Sequence, residues 1–356
     1  NESGREYVAY VFAHNDAGGF GDDGEQNVIS CGSYTGNGSS TGPVINLGYE
    51  PQWVLIKRAI GGTNNWMMQD VMRGLPVGGN YANLTANNSD AEVVDSPRMD
   101  ITSTGFQIKT TNSTYNTSGN TYIYIAIRRP MKKPESGTEV FAPVAYTGNS
   151  STRTIAPGFI TDMTISKGRN STLQPALQDR LRGAKKQLLT SETDAESSPS
   201  SGLIGFDQMD GVKVDGASGY WNTTYNYIQW MFRRAPGFFD VVAYTGTGVN
   251  RTVSHNLGVA PELVIIKSRS NANGWVVGSS LSPNVEDYMW LYLTSAWLSG
   301  SFWNNTRPTE TEFSVSTGAA VNGSGLNFIA YLFSSLDGVS KVGTYTGTGA
   351  DLNVDC

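Results

Sequence analysis

The tripeptide Tyr-Thr-Gly occurs four times, at Tyr34, Tyr146, Tyr244 and Tyr345, and each of the first three opens the same succession of motifs. A period of roughly 100 residues is a signature of tandem domains, each large enough to bury a core of its own. After the tyrosine come QWVLIKRA near Lys57, TDMTISKG near Lys167 and PELVIIKS near Lys267. These are short apolar, β-branched runs behind a Pro or Gly, the pattern of buried strands. TGFQI around Phe106, DGVKV around Val212 and TEFSV around Phe313 alternate polar and apolar residues, as half-buried strands do. The copies close on TYIYIAIRRP (Thr121–Pro130), YNYIQWMFRRAP (Tyr225–Pro236) and LNFIAYLFSS (Leu326–Ser335).

Three complete units are therefore expected, at Cys31–Pro130, Val140–Pro236 and Phe238–Ser335. They divide the chain into segments 1–30, 31–130, 131–236, 237–335 and 336–356. YVAYVFAH (Tyr7–His14) matches a closing strand, and KVGTYTGTGADLNVDC (Lys341–Cys356) matches the opening of a further unit. Both half-units lack middle strands. That favours a window on a longer repetitive chain over completion by strand exchange between molecules. The connectors, such as MKKPESGTE (Met131–Glu139), are Gly-, Pro- and charge-rich and read as linkers. With 41 Gly, 17 Tyr and only 16% charged residues, the composition suits twisted strands and tight turns. The expected fold is all-β, a tandem array of antiparallel β-sandwich domains strung like beads on a semi-rigid string.

Several function classes are disfavoured. The formal net charge is −6 and Lys or Arg never run beyond a pair, so the basic surface that nucleic acid requires is missing. No apolar stretch approaches the ~18 residues of a membrane span. The first residues, NESGREYVAYVFAH, are not those of a signal peptide. Two cysteines, Cys31 and Cys356, make neither a disulfide scaffold nor a zinc site. Asn-x-Ser/Thr sequons at Asn37, Asn83, Asn112, Asn170, Asn222 and Asn250 matter only where a host glycosylates secreted proteins.

Comparison between units screens for chemistry. His14 and His255 fall at non-equivalent places, so no repeated histidine site exists. QDVMRG (Gln69–Gly74) and QDRLRG (Gln178–Gly183) place Asp70 and Asp179 three residues ahead of Arg73 and Arg182. The preferred reading is a turn with Asp capping, Arg bridging back and Gly closing; the alternative is a paired acid in a cleft. The third unit has GSSLSP (Gly278–Pro283) instead. Asp16, Asp22, Asp23 and Glu25 could chelate Ca2+ on a Gly-rich loop, but their spacing does not match an EF-hand, and a solvated linker is preferred. No acid pair recurs as glycoside cleavage would need. The aromatic stretch Asp287–Thr306, with Tyr288, Trp290, Tyr292, Trp297 and Trp303, is a candidate glycan surface or packing surface. No catalytic residue, cofactor site or metal site is assigned, and the chain is expected not to be an enzyme.

The succession YTGNG…INLGYEPQWVLIKR…MQDVMRG…TSTGFQI…TYIYIAIRRP resembles a repeat domain of marine bacteriophage structural proteins, found in tandem in tail-fibre-like and other virion proteins. The first unit carries the likeness best and the third most loosely. The resemblance implies a concanavalin A-like or jelly-roll sandwich. It also implies a virion, extracellular location and a role in a tail fibre or other appendage for host attachment. Expected partners are further copies of the chain (a trimer first), other virion proteins and a host-surface glycan or protein. The alternatives are a carbohydrate-binding adhesin or binding module of a bacterial surface protein and, more remotely, a glycoside hydrolase.

Overall fold

The computed structural model describes residues 3–14, 20, 24 and 26–354. In each unit the opening strand (Ile29–Thr35, Phe141–Thr147, Phe239–Thr245) pairs antiparallel with the closing strand (Thr121–Arg128, Asn226–Phe232, Asn327–Phe333). The Lys-bearing middle strand (Pro51–Arg58, Met163–Gly168, Leu263–Ser268) flanks the closing strand on its other side. Further short strands extend these sheets to six, five and six strands. The alternating runs around Phe106, Val212 and Phe313 form strands of a second, smaller sheet in each unit, of three, three and two strands.

The Tyr-Thr-Gly repeat is a staple. The tyrosine ring stacks on its partner in the closing strand, at 5.1 Å for Tyr34–Tyr122, 5.3 Å for Tyr146–Tyr227 and 5.3 Å for Tyr244–Phe328. Its hydroxyl donates to the carbonyl of Tyr115, Trp221 or Val321. Each of those residues precedes a wholly buried asparagine: Asn116, Asn222 or Asn322. The asparagine Oδ1 in turn accepts from the backbone N–H three residues after the tyrosine: Asn37 at 2.8 Å, Asn149 at 3.3 Å and Thr247 at 2.9 Å. The intervening glycine is required by close approach. A Cβ at Gly36, Gly148 or Gly246 would lie 2.3, 1.9 or 2.2 Å from an opposing backbone oxygen. Burial of Asn222 closes that sequon to glycosylation in the folded chain.

The large sheet of the third unit is apolar on both faces. In the third unit Val264, Ile266, Phe328, Ala330 and Leu332 face that unit's own core. The alternate residues, including Phe239, Val241, Ile329 and Tyr331, enter a second cluster with Met163, Leu177, Leu181 and Leu188 of the second unit; Leu75 of the first belongs to it as well. A sheet with two apolar faces needs cover on both, and each large side chain so buried contributes about 1.5–3 kcal/mol. For the third unit's sheet the second unit supplies that cover. The connectors join in, with Val140 buried and Leu336 and Val339 packed against the same cluster.

This corrects two expectations. All-β, antiparallel structure is present, with helix among the described residues limited to the single turns Gly137–Glu139 and Ala319–Asn322. The chain is not, however, a tandem array of concanavalin A-like or jelly-roll sandwiches. Its five sheets of three or more strands are arranged as a five-bladed β-propeller, with the two-stranded ladder of the third unit beside them. Nor are the units beads on a string, since one core runs through all three. The outer segments Tyr7–His14 and 341–354 lie in no strand, and apart from the half-buried Val342 their apolar residues are exposed, Val11 by 91% and Tyr345 by 72%.

Candidate functional site

Asp70 and Asp179 stand at the ends of the strands Met67–Asp70 and Ala176–Asp179, and each closes a turn in the same way. Asp70 accepts from the Arg73 backbone N–H at 2.8 Å and from its Nε at 2.6 Å. Asp179 accepts from Arg182 at 2.9 and 2.5 Å. Gly74 (φ 125°) and Gly183 (φ 87°) then leave the turn in backbone conformations that disfavour a side chain. The two turns sit side by side, with the Val77 N–H donating to the Leu181 carbonyl at 2.7 Å. They line a cleft of about 610 Å³ with Pro76, Glu92 and Lys185. Both carboxylates have both oxygens engaged by a guanidinium or backbone N–H, so neither is placed as a general base. In the third unit Ser279 and Ser282 close the corresponding turn by bonding Glu262 O and Ser279 O, each at 2.7 Å.

A second constellation lies where the three units meet. Arg234 donates bidentately to Glu50 at 2.7 and 2.6 Å and through Nε to Asp240 at 2.8 Å. Arg129 reaches Asp240 at 3.0 Å, and the Asn256 N–H reaches its other oxygen at 2.8 Å. Asp162 accepts from the Arg234 backbone N–H at 2.7 Å and from Arg180 at 3.0 Å. The groups border a cavity of about 90 Å³. Burial alone would raise the Asp240 carboxyl, but Arg234 and Arg129 beside it hold it below its ordinary value. Burial likewise opposes the Arg234 charge, and Asp240 and Glu50 overcome it, raising that guanidinium well above its usual range. At Arg180 burial outweighs Asp162 and the guanidinium is lowered. Every acid here is paired with arginine and no nucleophile stands among them. The arrangement fixes three units to one another and is not equipped for acid–base chemistry.

The recurring motifs do not single out Glu50, Asp162, Asp240 and Glu262, yet the sequence carries a usable signal for three of them. An acid precedes the middle strand in every unit, and Arg129, Arg234 or Ser335 follows the closing strand. In the third unit Ser335 donates both N–H and hydroxyl to Glu262, at 2.7 and 2.6 Å.

The remaining candidates are scattered. His14 Nδ1 accepts from the Cys31 N–H at 3.0 Å, whereas His255 lies buried with ring contacts to Thr309 O and the Leu257 N–H, and burial lowers its pKa. Asp16, Asp22, Asp23, Glu25 and Cys356 lie outside the described residues. Among the described residues no cluster of His, Cys, Asp and Glu has the makings of a metal site. Trp303 is buried, its Nε1 donating to Asp287 O at 3.2 Å, and Tyr288 and Trp290 pack edge to face on each other, with Phe302 beside both, against the third unit's core. Tyr292 packs on the shared core and lines a mainly apolar cleft of about 390 Å³ with Leu291, Trp275 and Tyr331. Trp297 is half-buried apart from all three cores.

One family model matches, a domain of unknown function, DUF7483, in three successive segments at residues 1–130, 136–238 and 235–354. No curated protein matches the chain.

Proposed function

For this chain, which belongs to the DUF7483 family, we propose a structural, non-catalytic role in a phage virion, as a segment of a tail fibre or other appendage that takes part in host-surface attachment. The observation that carries the reading is what the recurring residues do. The stapling tyrosines and asparagines bond the backbone of their own unit, and the acids ahead of the middle strands bond the Arg or Ser residues after the closing strands, while the groups that could do chemistry change from unit to unit. A chain so constituted is a framework that displays variable loops. Motif likeness to marine phage repeat domains supplies the virion setting, and with it an extracellular location. It also supplies the partners: further copies of the chain (three in a fibre), other virion proteins and a host glycan or protein. Mass spectrometry of purified particles should find the chain, and antibodies against it should decorate an appendage in electron micrographs. Recovery from infected-cell lysate but never from particles would rule the reading out.

A carbohydrate-binding module is the second reading, favoured by the half-buried Tyr292 and exposed Leu291 at the rim of the cleft over Trp275. It predicts saturable glycan binding that Tyr292→Ala abolishes. A glycan array silent for the whole chain would end it.

A further inference from the structure

The large sheet of the first unit has the same second face that the third unit buries and that the second unit buries at its Met163, Ile165 and Phe232 end, where Ile228 and Trp230 stay half-buried. Ile123, Ile125 and Ile127 of the closing strand stand in register with Lys57, Leu55 and Trp53 of the middle strand, and Met68 lies beside Leu55. Cys31 sits opposite Ile125 on the other side. The equivalent positions are Ile228, Trp230 and Phe232 in the second unit and Ile329, Tyr331 and Phe333 in the third. Those two faces meet within the chain. Phe232 lies 5.5 Å from Phe239 and 6.0 Å from Phe333, ring to ring. Met163 and Ile165 line one cleft together with Ile265, Tyr331 and Phe333.

On the first unit none of the corresponding side chains belongs to a core cluster of the described residues. Ile123 is 39% exposed, and Trp53, Leu55, Ile125, Ile127 and Met68 are half-buried members of no core cluster. The charged residues of its central rows, Lys57 and Asp70, lie at opposite ends and are held internally by Asn64 and Arg73.

We propose that this face docks against the same face of a second copy of the chain, forming an isologous pair. The occupant follows from the chain's own precedent, because two sheets with this register and this alternation already face each other between the second and third units. A self-complementary apolar patch meeting its copy about a two-fold axis is also the commonest way a homo-oligomer closes. The contact is separate from three-chain bundling in a fibre and does not depend on the virion reading.

The test is sedimentation velocity and light scattering on the whole chain in a Cys356→Ser background, from low to high micromolar concentration. The expected mass rises to twice that of the monomer. Ile125→Glu should weaken association by about tenfold or more, as removing a central anchor does, with a thermal midpoint that matches the parent's at the lowest concentration, where the parent is monomeric. Should Ile125→Glu unfold, Ile123→Lys at the more exposed position serves instead. Alkylation of Cys31 should slow with rising concentration in the parent and not in the variant. A parent that stays monomeric, or variants that associate as well as the parent, would overturn the proposal. Neither result touches whether the chain is found in virions.

Discussion

The Tyr331 hydroxyl of the third unit donates to Asp179 Oδ2 of the second at 2.6 Å, inside a wholly buried setting. The same carboxylate carries the turn-closing bonds of Arg182, so one acid serves its own unit and its neighbour. Tyr331→Phe keeps the ring and removes only the donor. A hydrogen bond to a charged group is worth about 1.5–3 kcal/mol, and chemical denaturation should show a loss in that range. A loss under about 0.5 kcal/mol, the scale of an ordinary surface change, would mean that the bond is not formed.

Sharing of one core between units predicts cooperative unfolding. Calorimetry should give a single transition for all three units, and three resolved transitions would refute the shared core. Asp240→Ala removes one of the two acids that Arg234 and Arg129 share and leaves them only Glu50. Breaking a buried pair outright costs about 3–5 kcal/mol; with Glu50 still in place the loss should be smaller, and the whole transition should move down together. A shift confined to part of the transition would show that the junction binds only its own unit.

The repeat, its strands and the turn-closing role of Asp70 and Asp179 were legible in the sequence because local patterning determines them. What unit does to unit was not. Runs such as NFIAYLF are apolar in both strand phases, and one chain's pattern does not say whether the second face meets another sheet, a loop or a different molecule. The junction acids escaped for a related reason: Glu50 and Arg234 are 184 positions apart, and only the packed units bring them together. The aromatic stretch around Trp290 and Trp303 reads more readily as packing than as a glycan surface, but only the fold shows which core it enters, with the Trp303 indole bonded to Asp287 O.

The stapling asparagines are the most testable part of the repeat. Asn322 accepts from the Thr247 N–H and donates to the carbonyls of Val249 and Ser316, at 2.9, 2.6 and 2.8 Å. Asn322→Ala leaves those backbone groups without their partner. Each buried group left unsatisfied costs about 1–3 kcal/mol, so the change should be among the most damaging single substitutions in the third unit. Asn322→Asp keeps the acceptor but not the donor and should recover only part of the loss. Equal stability of the two variants and the parent, measured by denaturant midpoint, would remove the staple as an explanation for the repeat.

Lys267 should give the fold an unusual pH dependence. Its side chain is buried, with the amino group donating to Ser268 O at 2.7 Å and Asn271 O at 3.4 Å. Burial, only partly opposed by the charge of Asp194, pushes its pKa from 10.5 down to about 8. Below pH 8 the amine is charged in both states and the folded chain bears the full cost of burying it. Above pH 8 the folded amine sheds its proton while the unfolded one keeps it until about 10.4. The unfolded state then holds more protons, so stability rises with pH across that window. Buried tyrosines act in the opposite sense above about pH 10, since Tyr244 and Tyr331 are raised by burial and stay protonated when their unfolded counterparts ionise. Thermal midpoints should therefore climb from pH 8 toward 10 and then turn down. Lys267→Met should flatten the climb and leave the downturn in place, and a climb that survives the substitution would assign it to another group.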